Sequence, residues 1–176
     1  MECTVGSLRG PITHNALLKI LMQECETLTG KELLFMLKSY GRQIVISASP
    51  LLLYRALTVR IGEWWVTPQD SASVVPDTPL FSFSPSCWKM RVRKLVTGKR
   101  VVWACVDAHH VAATHSPAVQ GEWLGTTLSW DITIAPQGTC ARFMHDGLIP
   151  GLERHDVCVK RWDHLFKGSL RSVLER

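Results

Sequence analysis

The spacing of apolar residues changes character along the chain. Over the first 30 residues Leu17, Leu18, Leu21, Cys25 and Leu28 recur at steps of three and four, the spacing of one helix face, and Gly30 is a natural stop. The stretch "KELLFMLK" adds a further turn or two of the same kind. Residues 1–38 are therefore expected to form an N-terminal extension, helical or partly disordered, distinct from the rest of the chain. Packing on the domain, self-association into a homodimer, and a chain start at Met36 all remain open.

From Tyr40 the pattern shifts. "RQIVI" is β-branched and ends before Ser and Pro, which predicts a strand. Pro50 suits the first position of a helix over "PLLLYRALT", with Ser49 as its N-cap. "IGEWW" predicts a second short helix, and "VTPQDSASVVPDTP" (66–79) has the turn chemistry of a loop. Two hairpins come next. In the first, "CWKMRVRKLV" and "KRVVWACV" meet at Thr97-Gly98, and a two-residue turn pairs Val96 with Lys99. Met90 then opposes Cys105 and Val92 opposes Trp103. Trp88 shares their side, while Lys89, Arg91 and Arg93 take the other. In the second, "EWLGTTLSWDITI" returns through "APQG" into "TCARFMHDG". Here Leu128 opposes His145, Trp130 opposes Phe143, Ile132 opposes Ala141, and Asp131 faces Arg142 as a charge pair. Both hairpins thus have an apolar inner face and a charged outer one, as a half-buried antiparallel sheet requires.

The last 25 residues return to helical spacing. Cys158, Val159, Trp162, Leu165, Phe166, Ser169, Leu170 and Val173 form one stripe on a helix over 152–175, about 36 Å long. Gly168 inside it predicts a close approach to a strand. The order of elements gives an α+β fold: a curved antiparallel sheet wrapped round a long C-terminal helix.

Composition narrows the class. With 46% hydrophobic and 20% charged residues the chain has ample material for a core and is not a disordered polymer. The formal net charge of +5 is not concentrated in blocks. No apolar run reaches the roughly 20 residues of a membrane span, and the first ten residues lack the features of a signal peptide. Six cysteines without a CxxC pair read as reduced thiols of a cytoplasmic protein. Lys89, Arg91, Arg93, Lys99 and Arg100 make a basic stripe on the outer face. It carries no interleaved aromatics, so nucleic acid is not the expected partner.

The motifs that carry chemistry are few. Asp107, His109, His110 and His115 could ligate zinc by residue type, but their spacing fixes no geometry, and no metal or cofactor is expected. His145 and Asp146 are adjacent on a strand and point to opposite faces, so they do not form a base and its orienting carboxylate. Ten inner-face residues converge instead: Met90, Val92, Trp103, Cys105, Leu128, Trp130, Phe143, Trp162 and Phe166, with His145 as the one polar group. They suit the wall of a ligand cavity. They equally suit a solid core.

Three stretches in fixed order resemble the START-like helix-grip (SRPBCC) superfamily, in the branch related to the activator of the heat-shock protein 90 ATPase. These are Glu122, Trp123, Gly125 and Thr126; then Gly138, Thr139, Phe143, His145 and Gly147; then Cys158, Trp162, Gly168, Ser169 and Leu170. The resemblance spans about residues 40–176. It implies a START-like domain over 39–176 with a cavity between sheet and C-terminal helix, and it does not fix a reaction. The preferred expectation is non-enzymatic binding of a hydrophobic small molecule or lipid. A chaperone-associated or stress-related interaction protein is the alternative, and a cyclase or hydrolase using the same cavity ranks last, for want of a paired acid and base.

Overall fold

Each strand here exists because alternate side chains have a core to face. The computed structural model describes residues 39–111 and 117–176; the expectations for 1–38 and for His115 lie outside it. Strand β1 (Tyr40–Ile46) leads into α1 (Pro50–Ala56) and a 3-10 turn (Ile61–Glu63). Then come β2 (Leu80–Phe83), β3 (Ser86–Val96), β4 (Arg100–His109), a second 3-10 turn (Pro117–Gly121), β5 (Thr127–Ala135) and β6 (Gly138–Asp146). The C-terminal helix runs without a break through α2 (His155–His164), a π-helical stretch (Leu165–Leu170) and α3 (Arg171–Leu174). The six strands make one antiparallel sheet in the order β1-β6-β5-β4-β3-β2, curled round that helix. This is the expected α+β helix-grip architecture.

The local signals act as their chemistry requires. Ser49 caps α1, its Oγ accepting from the Leu52 amide at 3.2 Å, and Pro50 occupies the first turn. The second hairpin has the expected register throughout: Leu128 with His145, Trp130 with Phe143, Ile132 with Ala141. Asp131 opposes Arg142, but its ion pair, at 2.8 Å, is with Arg100 on the neighbouring strand.

Four expectations need correction. Val96 pairs with Arg100, not Lys99, so the first hairpin turns over three residues. Gly98 sits at φ +65°, the left-handed position that closes such a loop. The extra residue is absorbed by an irregularity between Val92 and Lys94, which restores Val92 opposite Trp103 and Met90 opposite Cys105. Residues 122–126 form turns and not the start of β5, which begins at Thr127. Strand β2 is an addition to the expected elements. Its "LFSF" alternates, but four residues between proline-bearing turns give little periodicity.

The fourth correction concerns the helix. It starts at His155 and contains the π stretch. Four of its five buried residues, Trp162, Phe166, Leu170 and Leu174, recur every four residues, and the fifth, Leu165, flanks Phe166. In an α-helix each such step overshoots a full turn by about 40°. The wider turn of a π stretch offsets that drift and keeps the stripe on the sheet. Leu174 is therefore buried, while Val173, the residue an undistorted helix would place inward, is only half-buried. Gly168 is exposed, and a Cβ there would meet only the His164 ring at 3.9 Å, so it permits no close approach to a strand.

Side chains pin the helix to β1. Asp163 accepts from Tyr40 Oη at 2.9 Å and takes both Nε and Nη2 of Arg42 in a fork. That pairing holds the Asp163 carboxyl down at about 2. Arg171 Nη2 donates to the Val45 carbonyl at 2.7 Å, and the Ser47 amide donates to Glu175 at 3.0 Å. The free edge of β1 is thereby partly closed.

Gly138 allows the tight return into β6. Its φ is +131°, and an added Cβ would lie 2.2 Å from the Ile46 carbonyl oxygen. Gly138→Ala combines strain with a backbone collision. It should cost about 2–3 kcal/mol in a urea unfolding titration, and a cost below about 1 kcal/mol would show that β1 and the turn can separate freely.

Candidate functional site

Inward alternation on four strands and the helix stripe brings all ten predicted site residues together. Met90, Val92, Trp103, Leu128, Trp130 and His145 are fully buried, and Cys105, Phe143, Trp162 and Phe166 are at most 2% exposed. Their rings interlock. Phe143 lies 4.6 Å from Phe166, 4.8 Å from Trp162 and 5.2 Å from Trp130, centroid to centroid. Trp103 and Trp130 meet edge to face at 5.3 Å, and among the described residues neither indole N–H has a hydrogen-bond partner. Nothing in the structure explains those two unpaired donors. Burial pushes the Cys105 thiol up to about 12, so this cysteine behaves as a small apolar side chain.

His145 is held by a chain of hydrogen bonds whose proton positions are dictated by chemistry. Trp162 Nε1 can only donate, so His145 Nδ1 accepts, at 3.1 Å. Nε2 must then carry the proton, and it donates to Thr126 Oγ1 at 3.1 Å. The Thr126 hydroxyl donates its own proton to the Trp123 carbonyl at 2.7 Å. Both ring nitrogens of the imidazole are thereby used. The Trp123 ring stands edge-on over the imidazole at 4.6 Å. Burial drives the histidine down to about 3, so it is neutral at pH 7. Asp146 points away and accepts from the Ser39 hydroxyl at 2.9 Å. The pair is not a dyad, as the strand alternation requires.

Open space lies at one end of this core. A cleft of about 350 Å³ runs between the start of α2, the β2–β3 turn and the end of β4. Trp88, Trp123, Trp162, Phe83, Trp65 and Cys158 supply most of its apolar wall. Trp123 stacks with Trp162 at 5.9 Å and packs on Trp88 at 5.3 Å, and His110 stacks on Trp88 at 5.5 Å. Arg154, Arg161 and Glu122 are its charged residues among those described. Of the ten predicted residues only Trp162 reaches this wall; the other nine pack beneath it. Trp65 joins the two regions, 4.6 Å from Phe81 and 5.2 Å from Trp162.

Register arguments find residues in mid-strand. They miss this cleft because its wall comes from turns and strand ends. In the sequence Trp123 stands out only as part of a motif, and Cys158 only as part of a motif and a helix stripe. Among the described residues no three His, Cys, Asp or Glu side chains converge on a metal-sized site. None of the helices in the described part is long and apolar enough to cross a membrane.

Solved structures share this arrangement. The Aha1 dimer from Colwellia psychrerythraea is 28% identical, with a TM-score of 0.63 over 78% of this chain and 96% of that one. A protein from Mesorhizobium loti is 22% identical, with a TM-score of 0.65 over 79% and 98% of the two chains. One from Chromobacterium violaceum is 16% identical, with a TM-score of 0.60 over 79% and 99%. No family model matches the chain. No curated protein matches it. The likenesses support the helix-grip superfamily that the three motifs resemble, and the last two speak for the fold alone.

Proposed function

We propose that the domain binds a mainly apolar small molecule, without transforming it, in the cleft between sheet and C-terminal helix. The observation that carries this reading is the cleft itself: about 350 Å³ walled by Trp88, Trp123 and Trp162. Its size falls at the small end of ligand pockets, roughly 300–1,000 Å³, and an apolar wall with a few polar groups is their usual composition. The ten buried residues serve this site as its floor and support, with Trp162 shared between the two. The non-enzymatic part of the reading is supported by the hydrogen-bond chain through His145. That chain leaves the buried imidazole no free lone pair with which to take a proton.

The test uses a neutral apolar fluorophore, N-phenylnaphthylamine, and the substitution Val157→Trp. Val157 is half-exposed on the cleft rim, so a larger ring there fills the space without disturbing the core. The wild-type protein should bind the probe, and Val157→Trp should weaken binding at least tenfold with an unchanged unfolding midpoint. Equal binding by both proteins would overturn the cleft as the site.

A second reading is an interaction protein of the chaperone-associated kind, acting as a homodimer. The likeness to the Aha1 dimer supports it. Sedimentation at micromolar concentration should then give twice the 19.8 kDa of the chain, and a monomer would remove that support.

A further inference from the structure

Resting on the cleft as binding site, we propose that its ligand is a flat apolar acid, with its anionic group between Arg154 and Arg161 and its body against Trp88 and Trp123. Arg154 and Arg161 stand seven residues apart at the start of the C-terminal helix, two turns along one face. Both line the cleft, as does Cys158 between them in the sequence. Among the described residues neither forms an ion pair. Arg42, Arg60, Arg100 and Arg171 are each matched to a carboxylate, whereas Arg55, Arg91, Arg93 and Arg142, which lie outside the cleft, share the unpaired state among the described residues. Arg161 instead lies over the Phe83 ring at 4.9 Å.

The remaining charges favour an anion as well. Glu122 is the one carboxylate on the described wall, and its Oε1 already accepts the Glu153 amide at 2.7 Å. Arg154 occupies the N-cap position of α2, which no side chain caps. A cation at the positive end of a helix is unfavourable by itself, and an anion beside it answers both charges. The guanidinium fork fits a carboxylate or sulfonate. The half-buried rings of Trp88 and Trp123 offer apolar surface to a flat ring system.

The experiment compares two probes that differ by one group. Anilinonaphthalene sulfonate has the ring skeleton of N-phenylnaphthylamine plus an anionic group. The sulfonate should bind the wild-type protein at least tenfold more tightly than the neutral probe. Arg154→Gln with Arg161→Gln should bring the two affinities together. Arg91→Gln, which removes a charge from the exposed outer face, should leave the tenfold preference intact. Equal affinity of both probes in the wild type, with both weakened by Val157→Trp, would overturn the acidic ligand and keep the cleft. Binding of either probe that ignores Val157→Trp would overturn the cleft and the acidic ligand together. A preference reduced as much by Arg91→Gln as by the cleft variants would assign it to overall charge and also overturn the proposal.

Discussion

Lowering the pH from 7 to 5 should remove about 2 kcal/mol of folding stability through His145 alone. The imidazole titrates at 6.5 in the unfolded chain and at about 3 in the fold, because burial disfavours its charged form. Between those values the unfolded chain holds a proton that the folded chain does not. Stability therefore rises with pH across that interval. The contribution is complete above 6.5, declines as the pH falls, and is lost by about 3. At about 1.4 kcal/mol per pH unit, the whole interval amounts to about 5 kcal/mol. The carboxylates act elsewhere. Asp163, held down at about 2 by Arg42, contributes stability above its unfolded value of 3.8 and loses it only below that. Urea titrations at pH 7, 6 and 5 should thus show a falling midpoint at constant slope. His145→Gln, whose amide can still accept and donate, should flatten that trend. An undiminished trend in the variant would mean that the imidazole is charged in the fold and that the chain Trp162–His145–Thr126–Trp123 is wrongly ordered.

What the sequence made legible was whatever one repeat could express. Alternation on "LSWDITI" and "ARFMH" set the register of β5 and β6 to the residue, since a slip by one would turn Trp130, Phe143 and His145 to solvent. The same logic placed the ten inner residues together. It could not say whether they enclose space, because that depends on how closely rings such as Phe143 and Phe166 approach across elements. The π stretch was hidden for a related reason. A period of four and a period of 3.6 differ by only about one residue over three turns, and Leu174 alone marks the difference. The cleft wall was hidden more deeply. Phe83, Trp88, Trp123 and Arg154 come from four separate stretches, and no single periodicity links them. That Arg154 and Arg161 form no ion pair among the described residues is a property of their surroundings and has no signature in the chain.

Trp162→Ala should be the most damaging single substitution in the helix. The indole is 2% exposed and touches Phe143, Phe166, Trp65 and Trp123, so it bridges core and cleft. Removing a buried ring of that size costs about 3–5 kcal/mol through lost transfer energy and the void left behind. A second loss accompanies it: His145 Nδ1 is stranded without a donor in the buried core. Trp162→Phe separates the two effects. It keeps most of the ring but not the N–H, and the unpaired acceptor should cost about 1–3 kcal/mol. The two variants also differ at the cleft. Alanine opens its floor toward the core, so the neutral probe should bind with altered affinity and emission, whereas phenylalanine should leave binding close to wild type. Unfolding free energies from urea titration give the first comparison and probe titration the second. A Trp162→Ala protein within about 1 kcal/mol of wild type, against the larger loss that cavity formation demands, would mean that the helix is not gripped through this residue, and the floor of the cleft would have to be assigned to other side chains.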